Sequence, residues 1–131
     1  MSLLKRRSGH GRRLVGRRGE RLAARHLRRA GYRILHRNLT IGRDEADLIA
    51  LDPDRRTVVI VEVKTRTGDY LAPEVNINRS KRYRLMRFAG KLAKMKPYAD
   101  RPMRFDAVAI CWPSSGAAEV RHYVGAFESV V

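Results

Sequence analysis

Between Leu14 and Ala30 the apolar and small residues recur at helical spacing. At about 100° per residue, Val15, Gly19, Leu22, Ala23, Leu27 and Ala30 share one face while most of the arginines point elsewhere. Gly31 is placed to stop this helix. The small residues Gly16, Gly19 and Ala23 on or beside the apolar face permit a close approach to a sheet, and Glu20 falls at the margin of that face. Three runs rich in branched or aromatic residues follow, Tyr32–Leu39, Glu45–Leu51 and Thr57–Arg66, and read as strands. Residues 52–56 (DPDRR) form a turn between the last two, and residues 67–78 form a long loop carrying Gly68 and Pro73. A second amphipathic helix is predicted over Arg79–Met95, with Leu85, Phe88, Ala89, Leu92 and Ala93 as its buried stripe and Arg84, Arg87, Lys91 and Lys94 opposite. Arg104–Cys111 and Glu119–Val124 read as the last strands. The order α-β-β-β-α-β-β predicts an α/β fold, one mixed sheet of about five strands flanked by helices. Residues 1–13 have no periodicity and read as a flexible basic arm, leaving 14–131 as a single domain.

The strand pattern itself raises a question of chemistry. If the second and third strands pair across the DPDRR turn, Leu51 meets Val58, Ile49 meets Ile60, and Asp47 meets Glu62, with Glu45 facing Lys64. Side chains alternate, so Asp47, Glu62 and Lys64 share one face, while Ala46, Leu48, Ala50, Val59, Val61 and Val63 share the other. Both faces are otherwise apolar, so the sheet is covered on both sides. Two carboxylates directly opposite in such a sheet destabilise it unless a cation compensates. Lys64 supplies one positive charge; a divalent ion supplies more, and an all-oxygen site suits magnesium or manganese. A buried salt-bridge cluster around Lys64 accounts for the same residues equally well.

Charge widens the picture. The 131 residues carry 29 Lys/Arg against 13 Asp/Glu, a net of +16. The excess is local: residues 1–30 hold eleven basic residues and one acid, Glu20, and residues 79–96 hold eight basic residues and no acid. Two basic segments around a nearly neutral middle point to a polyanion, nucleic acid before membrane or acidic protein. Cys111 is the single cysteine, which excludes an internal disulfide and a Cys-rich zinc site, and His10, His26, His36 and His122 lack metal-ligand spacing. No apolar run approaches the roughly 20 residues that span a bilayer, and the basic N-terminus lacks the apolar core of a secretory signal, so no membrane role and a cytoplasmic location are expected.

Asp47, followed after a turn by Glu62-Val63-Lys64, resembles the D…ExK signature of the PD-(D/E)xK nuclease superfamily. With Gly16-x-x-Gly19-Glu20, Gly31-Tyr32-x-Ile34-Leu35-x-Arg37-Asn38, Asp47-Leu48-Ile49-Ala50, Val61-Glu62-Val63-Lys64-x-Arg66 and Arg104-Phe105-Asp106, residues 14–111 resemble the YraN-like family of bacterial proteins, related to the archaeal Holliday-junction resolvases. The resemblance implies a restriction-endonuclease-like core in the 14–131 domain. It implies that Asp47 and Glu62 hold a Mg²⁺ or Mn²⁺ ion, that Lys64 acts near the attacking water, and that Glu20 approaches from the first helix. The chain departs from the family where Asp44-Glu45-Ala46-Asp47 stands in place of Gly-Glu-Ile-Asp, which puts an extra acid at the strand entrance.

The expected function is metal-dependent phosphodiester hydrolysis on structured or branched nucleic acid, DNA before RNA; the alternative is a non-catalytic binding module that retains the fold. Candidate catalytic residues are Glu20, Asp47, Glu62 and Lys64. Candidate backbone contacts are Arg17, Arg18, Arg66, Lys81, Arg84, Arg87 and Lys91, with Lys81 nearest the site. A resolvase-like role suggests a homodimer. Trp112 is expected to cap the core or an interface, and Asp106 to be a structural hydrogen-bonding residue.

Overall fold

The computed structural model describes residues 10–67 and 77–127. Helix α1 (His10–Arg29) leads into β1 (Arg33–Ile41), β2 (Asp44–Leu51) and β3 (Val58–Thr67), followed by α2 (Arg79–Leu92), a short 3-10 turn at Lys96–Tyr98, β4 (Met103–Trp112) and β5 (Glu119–Tyr123). The expected order of helices and strands is therefore found. The strands form one sheet in sequence order, antiparallel except where β3 and β4 run parallel. That parallel pair requires a crossover, and α2 lies in the connection.

Each helix buries the stripe its sequence spacing offers. On one face of the sheet, Ala23, Ala24 and Leu27 of α1 pack with Leu48, Ala50, Val59, Val61, Val108 and Ile110. On the other, Leu85, Phe88 and Leu92 of α2 pack with Ile49, Val58, Ile60, Tyr98 and Phe105. At Gly19 α1 lies close against the sheet: a Cβ there would overlap the methyl group of Thr65. Gly31, at φ +96, ends α1, with its own N–H donating to the Arg28 carbonyl and that of Tyr32 to the Leu27 carbonyl. Only glycine adopts that backbone cheaply, and the two bonds satisfy carbonyls the helix end leaves over.

Several boundaries differ from the sequence reading. Helix α1 begins at His10, inside the stretch read as a flexible arm; residues 1–9 lie outside the described residues, as do 68–76 of the long loop. Ala24 is buried, whereas Ala30 and Ala93, each just past a helix, are exposed. Ala46 joins the α2-side core rather than following Leu48 and Ala50. The alternation breaks where the partner strand carries Asn38 at φ +50, a left-handed residue between the pairs Arg37↔Leu48 and Leu39↔Ala46. A single such residue turns the strand, and the period of two does not carry across it. Among the described residues no helix is long and apolar enough to cross a membrane.

Candidate functional site

The β2–β3 ladder has the expected register, running from Leu51↔Val58 to Leu48↔Val61. The ladder ends there, one step short of Asp47 and Glu62, and does not reach Glu45 and Lys64. At that point the Val63 N–H donates to Asp47 Oδ2 at 2.8 Å. The strands thus open at the two carboxylates.

Glu62 is 6% exposed. Its nearest cations are Lys81 Nζ, 3.6 Å from Oε1, and Lys64 Nζ, 4.0 Å from Oε2. Both distances exceed a hydrogen bond, and Oε1 is buried with no hydrogen-bond partner. A buried carboxylate oxygen in that condition costs free energy on the order of 1–3 kcal/mol or more. Asp47 is half-buried. Desolvation of its carboxyl by the surrounding protein, followed by the charge of Glu62 and then of Glu20, pushes its pKa up to about 8, against the Val63 hydrogen bond and Lys81. Ionising both carboxylates at once would therefore place more negative charge in the site than its lysines relieve.

Glu20 reaches this region from α1, held by Asn38 Nδ2, which donates to Oε1 at 2.9 Å. Burial raises the Glu20 pKa; the Asn38 hydrogen bond opposes this, and the Glu45 charge adds to it. Lys81 is set by the start of α2, where the Asn78 side chain caps the helix by accepting from the Lys81 N–H at 2.8 Å. Glu20, Asp47, Glu62, Lys64 and Lys81 are thus gathered from α1, β2, β3 and α2. Asn38 and the Val63 N–H are the two participants the sequence reading missed. Asn38 belongs to the Gly31–Asn38 motif, but only the backbone kink gives it a role.

Among the described residues no three His, Cys, Asp or Glu side chains form a ready-made metal cage. Two carboxylates alone still fit a magnesium-type ion, which keeps several waters and binds through one or two carboxylates plus substrate phosphates. A cation held between the two carboxylates would offset both the Glu62 oxygen that accepts no hydrogen bond and the raised Asp47 pKa.

The basic residues divide. Arg17, Arg18, Arg66 and Arg84 are exposed. Arg87 and Lys91 instead grip Asp44, which is 2% exposed: Arg87 donates to both carboxylate oxygens at 2.9 and 2.6 Å, and Lys91 to Oδ2 at 3.0 Å. The Arg87 hydrogen bonds hold the Asp44 carboxyl far below the usual carboxylate range despite its burial. The extra acid at the strand entrance thus ties β2 to α2. A second ion cluster joins Arg104 to Asp106, Asp52 and Tyr32, with His122 and the Gly125 N–H also on Asp106, a structural network of hydrogen bonds.

A family model described as uncharacterised protein family UPF0102 matches residues 19–110, which contain every residue of the carboxylate site. The chain belongs to the UPF0102 family. Relatives within UPF0102 include a protein of Clavibacter michiganensis subsp. michiganensis, 39% identical over 107 residues that make up 81% of this chain and 89% of the relative. A UPF0102 protein of Porphyromonas gingivalis is 40% identical over 115 residues, 86% of this chain and 82% of its own. A third, UPF0102 protein GSU0650 of Geobacter sulfurreducens, is 38% identical over 120 residues, 91% and 92% of the two chains. The YraN-like resemblance read from the motifs and this UPF0102 membership agree.

Proposed function

We propose that this protein is a Mg²⁺- or Mn²⁺-dependent nuclease acting on structured or branched nucleic acid, with DNA favoured over RNA. The observation that carries the reading is the buried Oε1 of Glu62, which accepts no hydrogen bond, beside an Asp47 whose pKa is pushed toward neutrality. A salt-bridge cluster built for stability would bring Lys64 or Lys81 within hydrogen-bond distance, and neither is. Asp47 and Glu62 would hold the ion, which supplies Lewis acidity and a lowered water pKa. Lys64 and Lys81, both partly exposed beside Glu62, are free to meet a scissile phosphate and to offset charge that develops on it. Glu20, fixed by Asn38, is positioned to accept a hydrogen bond from water at the mouth of the site. The exposed arginines of α1 and α2 suit backbone phosphates, which confers preference for shape over sequence.

The test is cleavage of linear, flapped and four-way DNA in Mn²⁺. Wild-type protein should cut at least one of these, and Asp47→Asn and Glu62→Gln should bind the same substrate without cutting it. Cleavage that survives either substitution, or no cleavage of any substrate, would refute the proposal.

A further inference from the structure

Away from the carboxylates, α1 lines a cleft of about 760 Å³ with Arg18, Arg21, Arg25, Arg28 and Arg29, closed on one side by Trp112 at the end of β4. All five arginines are exposed, and no acidic residue lines the cleft. The Arg18 guanidinium lies over the Trp112 ring, 5.2 Å from its centre, and Trp112 itself is half-buried against the α1-side core. The cleft is separate from the carboxylate site. Trp112 pairs with Thr67, five residues beyond Glu62 along β3, or about 17 Å at strand rise.

Folding does not explain this ridge. Like charges three or four positions apart weaken a helix, and a face serving only solubility mixes both signs. Helix α1 has one acid, Glu20, and it is bonded to Asn38. What the ridge matches is a strand of phosphates. Arg18 to Arg29 spans about 16 Å of helix, close to five stacked-nucleotide rises of about 3.4 Å. The indole beneath the Arg18 guanidinium adds what a phosphate site alone does not need, an aromatic face on which an unpaired base packs.

We propose that the α1 arginine ridge and the Trp112–Arg18 cation–π pair form a binding site for single-stranded nucleic acid, about five nucleotides long, with one unpaired base packing on the indole. This rests on the nucleic-acid reading above and refines it: a duplex presents no free base face, so the site selects substrates carrying a single-stranded flank.

Trp112 is the chain's one tryptophan, so its fluorescence reports on this cleft alone. The full-length protein is titrated, without metal, with the oligonucleotide dT8, with a blunt duplex and with heparin, a polyanion without bases. The expected result is saturable quenching by dT8 and none by heparin, with log K falling against log salt at a slope near −3, about −0.7 per phosphate contact. Arg25→Gln with Arg28→Gln, both exposed, should flatten that slope by about 1.4. Trp112→Phe should bind dT8 nearly as well as wild type, and Trp112→Ala about 5- to 100-fold more weakly, with duplex binding little changed. Binding of dT8 without quenching, equal quenching by heparin, or an unchanged slope in the arginine variant would each overturn the proposal. The arginine variant keeps the test decisive if Trp112→Ala fails to fold. Loss of quenching with Mn²⁺-dependent cleavage intact removes this site alone, and quenching without cleavage removes only the nuclease reading.

Discussion

Asp47→Asn separates a metal site from a structural ion pair by the sign of its effect on stability. In the unfolded chain Asp47 ionises near 3.8, whereas the native site pushes it up to about 8 through burial and the Glu62 charge. The native state therefore binds more protons between about pH 4 and pH 8, and stability falls as pH rises through that window. At pH 7 the upper bound on this penalty is about 4 kcal/mol, the free energy of protonating a group with an ordinary aspartate pKa. Relaxation of the metal-free site makes the expected relief smaller, about 1–2 kcal/mol. The asparagine side chain is isosteric, and its oxygen can still accept from the Val63 N–H. The metal-free variant should thus be more stable than wild type at pH 7, by about 0.5–1 M in urea midpoint at ordinary m-values. The gain should vanish near pH 4 and level off above pH 8. Manganese should raise the wild-type midpoint and leave the variant unmoved. Urea melts at pH 4, 7 and 9, with and without Mn²⁺, check each part. A loss of about 3–5 kcal/mol in the metal-free variant, as expected when a cation is left stranded, would refute the reasoning.

Gly19→Ala should cost about 1–3 kcal/mol by driving α1 off the sheet at Thr65, and Thr65→Ser, which removes the obstructing methyl, should restore most of it in a double-mutant urea series. Asp44→Asn should lower the melting temperature at pH 7 and much less near pH 2, because the depressed native pKa contributes stability above the ordinary aspartate range that disappears as pH falls through the native value. Arg87→Gln should destabilise in the same pH-dependent way, since it removes two of the three hydrogen bonds Asp44 receives from α2.

The element order was legible because each stripe is unambiguous: Leu85, Phe88 and Leu92 at helical spacing, and Val58 to Val61 as a strand covered on both faces. The hairpin register followed from the short DPDRR turn and is the one observed. The carboxylate pair was legible as a composition anomaly in that register. The departures came from positions where local geometry breaks the period. Opposite the stretch where Asn38 sits at φ +50, Ala46 joins the α2-side core, and nothing in the residue types around Asn38 announces a left-handed backbone there. The Asp44 cluster was hidden because the stripe of Arg87 and Lys91 reads the same whether it faces solvent or a buried acid 43 or more residues away. Pattern reveals which face is charged; the partner is set by tertiary contact.

The kink at Asn38 also bears on self-association. Strand β1 is one outer edge of the sheet, and an exposed edge is a template onto which another chain can add a strand. Here that edge is interrupted twice, by the irregularity between Ile34 and His36 and by the left-handed Asn38, and it carries exposed Arg33 and Arg37. The opposite edge, β5, is only five residues long. Neither offers the long flat row of amide groups that edge-to-edge growth and amyloid stacking require. A second copy approaching through the helices meets like charge on α1 and α2. A polyanion lying between two copies would screen that repulsion.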